Sequence, residues 1–107
     1  MKKLILATCL TLLLSTANAA FNNGNKLLSD LNSSDAGNRV YALGYILGVV
    51  DSYDEELFCI PGSVNAGQLR DIVQQHLATN PKDRHLHAGA LVAIALIKQF
   101  PCKKGGV

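Results

Sequence analysis

The sequence contains no tryptophan and one methionine, and its aromatic rings amount to three tyrosines and three phenylalanines. It has neither an aromatic platform on which bases would stack nor a lysine and arginine cluster that would track a phosphate backbone, which excludes nucleic acid as a partner. Beyond the first 20 residues the longest apolar run, Ala88 to Ile97, has ten residues. That is half of the roughly 20 a membrane-spanning helix requires, so no membrane association is expected once the N-terminal segment is gone. Phosphate-cradling loops, dinucleotide fingerprints and serine elbows are all missing. His76, His85 and His87 lack a cysteine or carboxylate at ligand spacing, and residues two apart on a helix point away from each other. The composition therefore implies no metal, no cofactor and no enzyme.

The first 19 residues are a leader. Lys2 and Lys3 precede the apolar run Leu4 to Leu14, and small residues end at Ala17-Asn18-Ala19, the pattern of a secretory signal peptide cleaved after Ala19. Cleavage leaves 88 residues (107 minus 19), residues 20–107, enough for a single small domain. It also removes two of the ten basic residues, leaving eight against eight acidic ones and a net charge near zero. Of three cysteines, Cys9 leaves with the leader. Cys59 and Cys102 remain, and in a small exported domain such a pair is most economically a disulfide.

The mature chain reads as all-α, a small bundle of four to five helices with one disulfide. A first helix covers Asn25 to Leu31. Ser34 or Asp35 caps a second helix that runs to about Tyr53, and in it Val40, Leu43, Leu47 and Val50 recur at helical steps. Gly44 and Gly48, one turn apart, predict the close approach of another helix, the apolar fourth one. The acidic run Asp51, Asp54, Glu55, Glu56 reads as a solvated face or a docking surface for a basic partner. Asn65 with Gln68 forms a capping-box pattern for a third helix over about Ala66 to Ala78. Asn80-Pro81 stops it and starts a fourth, which carries His85 to Gln99. The middle of that helix is apolar on all sides, so it is either the central helix or part of a homodimer interface.

Several fragments in order resemble one family: Gly24-Asn25 with Leu27-Leu28, Gly44-Tyr45-Ile46-Leu47-Gly48-Val49-Val50-Asp51, Phe58-Cys59-Ile60-Pro61, Gly67-Gln68-Leu69-Arg70-Asp71-Ile72-Val73, Asn80-Pro81, Arg84-His85 and Phe100-Pro101-Cys102. Together they are similar to the Rap/Tai immunity proteins of type VI secretion. The resemblance implies a small helical periplasmic protein, commonly a homodimer, that blocks the active-site cleft of a cognate peptidoglycan amidase effector and so protects against intoxication by kin. Many relatives carry a second cysteine pair, where this chain has residues near Leu31 and Ala42.

An inhibitor of a cleft needs a protruding, polar and well-anchored segment. The connection holding Asn80, Lys82, Asp83 and Arg84 meets that description, and so does the third-helix face of Arg70, Asp71, Gln74 and Gln75. These eight residues are the expected partner contacts, contributed by one subunit or two. A periplasmic acid-stress chaperone, also small and helical with one disulfide, is the alternative reading. It would hold many unfolded clients near pH 2 to 3, where carboxylates are protonated, whereas an immunity protein binds one amidase at neutral pH.

Overall fold

The computed structural model describes residues 22–103. The expected leader, residues 1–19, lies outside them. The helices are α1 (Gly24–Leu31), α2 (Ala36–Tyr53), α3 (Ala66–Thr79) and α4 (Ala88–Gln99), with one 3-10 turn over Pro81–Asp83. Among the described residues there are no strands, only isolated bridges, and the all-α disulfide-linked bundle is as expected.

Short polar side chains start three of the helices. The Asn23 side chain accepts from the Lys26 amide at 2.9 Å, and the Asp35 carboxylate accepts from the Gly37 amide at 2.8 Å. At α3 the capping box is complete: the Asn65 side chain accepts from the Gln68 amide at 2.9 Å and the Gln68 side chain accepts from the Asn65 amide at 2.8 Å. Each cap satisfies donors that the first helical turn leaves unbonded, a contribution of about 1 kcal/mol per cap.

The fourth helix starts later than the sequence suggests. Pro81 opens only the 3-10 turn, and α4 begins at Ala88, so His85 lies outside it. The cause is a competing set of backbone hydrogen bonds. The Gly24 amide donates to the Leu86 carbonyl at 3.0 Å, the Asn25 amide to the Arg84 carbonyl at 2.9 Å, and the Ala88 amide to the Asn22 carbonyl at 3.0 Å. Residues 84–88 thus spend their polar groups on the start of the domain instead of on a helical ladder.

The apolar α4 is the most deeply buried of the four helices and packs against all three others. Ala88, Leu91, Val92, Ala93, Ala95 and Leu96 are buried, and Ile94 and Ile97 keep 39% and 38% of their surface exposed. Leu27 and Leu31 of α1, Ala42 and Ile46 of α2, and Leu69, Val73 and Leu77 of α3 surround it. Phe58, fully buried at 0% exposure, enters the same core from the connection between α2 and α3.

Gly44 and Gly48 do not serve the expected helix crossing. A Cβ built at either would meet nothing within 4 Å among the described residues, so both face outward within this chain. The buried stripe of α2 runs through Ala42 and Ile46, which turns Val40 out to 69% exposure. Because α2 is apolar almost all round, its sequence carries little information about which stripe faces inward. The close approach is made at Gly24, where a Cβ would overlap Leu91 Cδ1 and come within 2.9 Å of the Arg84 carbonyl oxygen. Backbone cannot yield there as a flexible side chain can, which accounts for a glycine at this position.

After α2 the chain turns sharply. Glu55 has φ of 71°, the left-handed region that a glutamate seldom occupies. The Asp54 carboxylate compensates by accepting from the amides of Glu55 and Ile60, each at 3.0 Å. Asp54 is thus committed to its own loop. The connection is closed by the Cys59–Cys102 disulfide, with Cα atoms 4.9 Å apart, and by the Cys59 amide, which donates to the Phe100 carbonyl at 2.8 Å.

Candidate partner-binding site

Three helices leave a groove of about 380 Å³ lined by Leu31, Ala36, Arg39, Val40, Leu43, Arg70, Asp71 and Gln74. Each side chain gets there for a local reason. Burial of Leu69 and Val73 turns Arg70, Asp71 and Gln74 toward one flank of α3. Burial of Ala42 and Ile46 brings Arg39, Val40 and Leu43 to the facing flank of α2. The Arg39 guanidinium donates to the Ser33 carbonyl at 2.7 Å, which fixes it at the start of α2. Arg70 Nε donates to Asp71 Oδ1 at 3.1 Å, and the Gln74 amide donates to Asn32 Oδ1 across the groove.

Chemically the groove offers two guanidinium groups, one carboxylate and an apolar floor. Arginine is enriched in interface hot spots, and the apolar floor beside it adds area that gains from leaving water. The Arg70–Asp71 pair is exposed and contributes little to stability, which leaves both groups available to a partner.

The other expected contacts fall elsewhere. Gln75 lies on the opposite flank of α3, in a cleft with His76 and Thr79. Asn80 is half-buried, and its amide donates to the His76 carbonyl at 2.8 Å, so it closes the end of α3. Lys82 is exposed and Asp83 half-buried. Arg84 points inward: it donates to the Leu77 carbonyl at 3.3 Å, and its Nε is buried without a hydrogen-bond partner among the described residues. The 3-10 turn begins some ten residues beyond Arg70, about 15 Å along a helix, so the two expected surfaces are separate. Arg39, Val40 and Leu43 join this groove through the orientation of α2, which the sequence of that helix does not specify.

Among the described residues no group of three or more histidine, cysteine or acidic side chains is placed to hold a metal. Both described cysteines are joined in the disulfide. Burial, and then the charge of Lys98, hold the His76 pKa below its ordinary value, while Asp83 acts in the other direction. No helix of the described residues is long and apolar enough to cross a membrane.

Residues 23–102 match the model of a family described as Rap1a immunity proteins. The chain belongs to that family. The Rap1a match begins at the α1 cap Asn23 and ends at Cys102, and so coincides with the folded bundle and includes both cysteines of the disulfide. No curated protein matches the chain. A Rap1a-family domain implies an effector toxin as its partner, and immunity proteins of this kind are generally not enzymes. Leu31 and Ala42, near the places where the resemblance implies a second cysteine pair, are both buried in the core. Apolar packing joins α1 to α2 there.

Proposed function

We propose that this protein is exported to the periplasm, with cleavage after Ala19, and there binds a cognate type VI-delivered peptidoglycan amidase and occludes its active-site cleft. The groove between α2 and α3 is the contact surface. Its arrangement of Arg70, Asp71 and Gln74 opposite Arg39 and Val40 is the observation that carries this reading. The disulfide between Cys59 and Cys102 agrees with an oxidising compartment.

The test is Arg70→Glu combined with Val40→Asp, measured by calorimetry against a cognate peptidoglycan amidase. The expected loss is at least about 100-fold in affinity, near 3 kcal/mol, with an unchanged unfolding midpoint. Both residues are exposed, so the bundle itself does not depend on them. Lys82→Glu serves as the comparison, and a larger loss there would move the contact to the 3-10 turn. Tight binding of one amidase at neutral pH also separates this reading from that of an acid-stress chaperone.

The homodimer belongs to the same proposal. Gly44 and Gly48 present bare backbone on the outer face of α2, beside exposed Tyr41, and a second copy of the helix packs closely on such a surface. Gly48→Leu is expected to convert a dimer to a folded monomer in sedimentation experiments. A folded variant that stays dimeric would assign the interface to another face, and one that unfolds would contradict the outward facing of Gly48.

A further inference from the structure

The flank of α3 that faces away from the groove meets α4 in a second cleft of about 270 Å³. Its floor is apolar, from Ile72 and Ala95, and the ionisable side chains that line it are both bases, His76 and Lys98. Lys98 forms no ion pair among the described residues. The side chains of Gln75 and Gln99, at the same rim, make no hydrogen bond to described residues either, whereas the Thr79 hydroxyl is spent on the Gln75 carbonyl at 2.9 Å. The Asn80 amide nitrogen lies 3.4 Å from His76 Nδ1. With the amide donating there, Nδ1 is the acceptor and Nε2 carries the proton of the neutral ring.

Unmatched donors around an apolar floor define the complementary ligand. It is an anion small enough for the cleft, with a short apolar portion to cover Ile72 and Ala95. We infer that this cleft binds a carboxylate on a short aliphatic stem, held by Lys98 and His76 and resting on Ile72 and Ala95. The stem distinguishes such a ligand from inorganic phosphate, which has nothing to lay on the floor. The inference does not depend on the amidase reading and is tested on this protein alone.

Lys98 from α4 and Asp83 from the 3-10 turn are the charged groups acting on His76. A bound carboxylate opposes Lys98 and stabilises the imidazolium, so binding and protonation of His76 reinforce each other. The experiment follows the three histidine rings by NMR between pH 5.5 and 8 in protein purified after export. Butyrate is titrated against chloride at matched ionic strength. The His76 midpoint is expected to rise by about half a pH unit, the linkage for roughly threefold tighter binding to the protonated ring, with His85 and His87 unmoved.

In Lys98→Gln the His76 midpoint is expected to rise without any ligand, and the response to butyrate is expected to vanish. Equal movement of all three histidines, an equal response to phosphate, or an undiminished response in Lys98→Gln would overturn the inference. A blocked glutamyl dipeptide identifies the source of the carboxylate. Binding about tenfold tighter than butyrate assigns an acidic side chain of a polypeptide, and equal binding assigns a free small carboxylate.

Discussion

Replacing Cys59 and Cys102 together by alanine is expected to lower the unfolding free energy by about 4 kcal/mol, read as a shift of the urea midpoint at constant slope. The two cysteines are 43 apart in sequence, and the loop they close contains all of α3 and α4. Opening it restores freedom to the unfolded chain, and for a small domain with total stability of about 5 to 15 kcal/mol the loss is severe. One wall of the candidate groove lies within this loop, because α3 contributes Arg70, Asp71 and Gln74. A loss below about 1 kcal/mol would sink this account. It would mean that the Cys59–Phe100 backbone bond and the packing of Phe58 already fix the connection.

Phe58→Ala is expected to cost about 3 to 5 kcal/mol, the range for removing a fully buried aromatic ring. Phe58 belongs to no helix, yet it is the largest fully buried side chain of the core. Its ring fastens the α2–α3 connection, and its neighbour Cys59 holds the end of the chain after α4. Phe58→Leu keeps most of the volume and is expected to cost less than about 1.5 kcal/mol. Similar losses for the two variants would show that the ring is not the anchor. Combining Phe58→Ala with loss of the disulfide is expected to give less than the sum, because both act on one connection.

What the sequence made legible follows its physical content. Asn65 with Gln68, and Asp35 before α2, are local signals that depend on two or three residues, and both caps formed as expected. The disulfide was legible because only two of the three cysteines, Cys59 and Cys102, lie beyond the expected leader. The facing of α2 was not, since its apolar residues surround the whole circumference and burial of Ala42 instead of the glycines is decided by its neighbours. The start of α4 was equally hidden, because the bonds that delay it come from Asn22, Gly24 and Asn25, more than 60 residues earlier. The site inherits both limits. Arg70, Asp71 and Gln74 were legible as one exposed flank of an amphipathic helix, whereas Arg39 and Val40 needed the setting of α2, and the inward turn of Arg84 needed the core.

A chain that emerges N-terminus first, from a ribosome or through a membrane channel, presents Asn22 to Asn25 long before residues 84–88 share its surroundings. Until Leu86 and Ala88 arrive, the amide of Gly24 and the carbonyl of Asn22 have only water as partners. The backbone bonds at the head of α1 therefore form only once nearly the whole domain is present, although α1 can already pack on α2, as expected where some contacts join the two ends of a chain. The last bonds to form in a chain made from its N-terminus are thus those that tie its first described residues to the segment leading into α4.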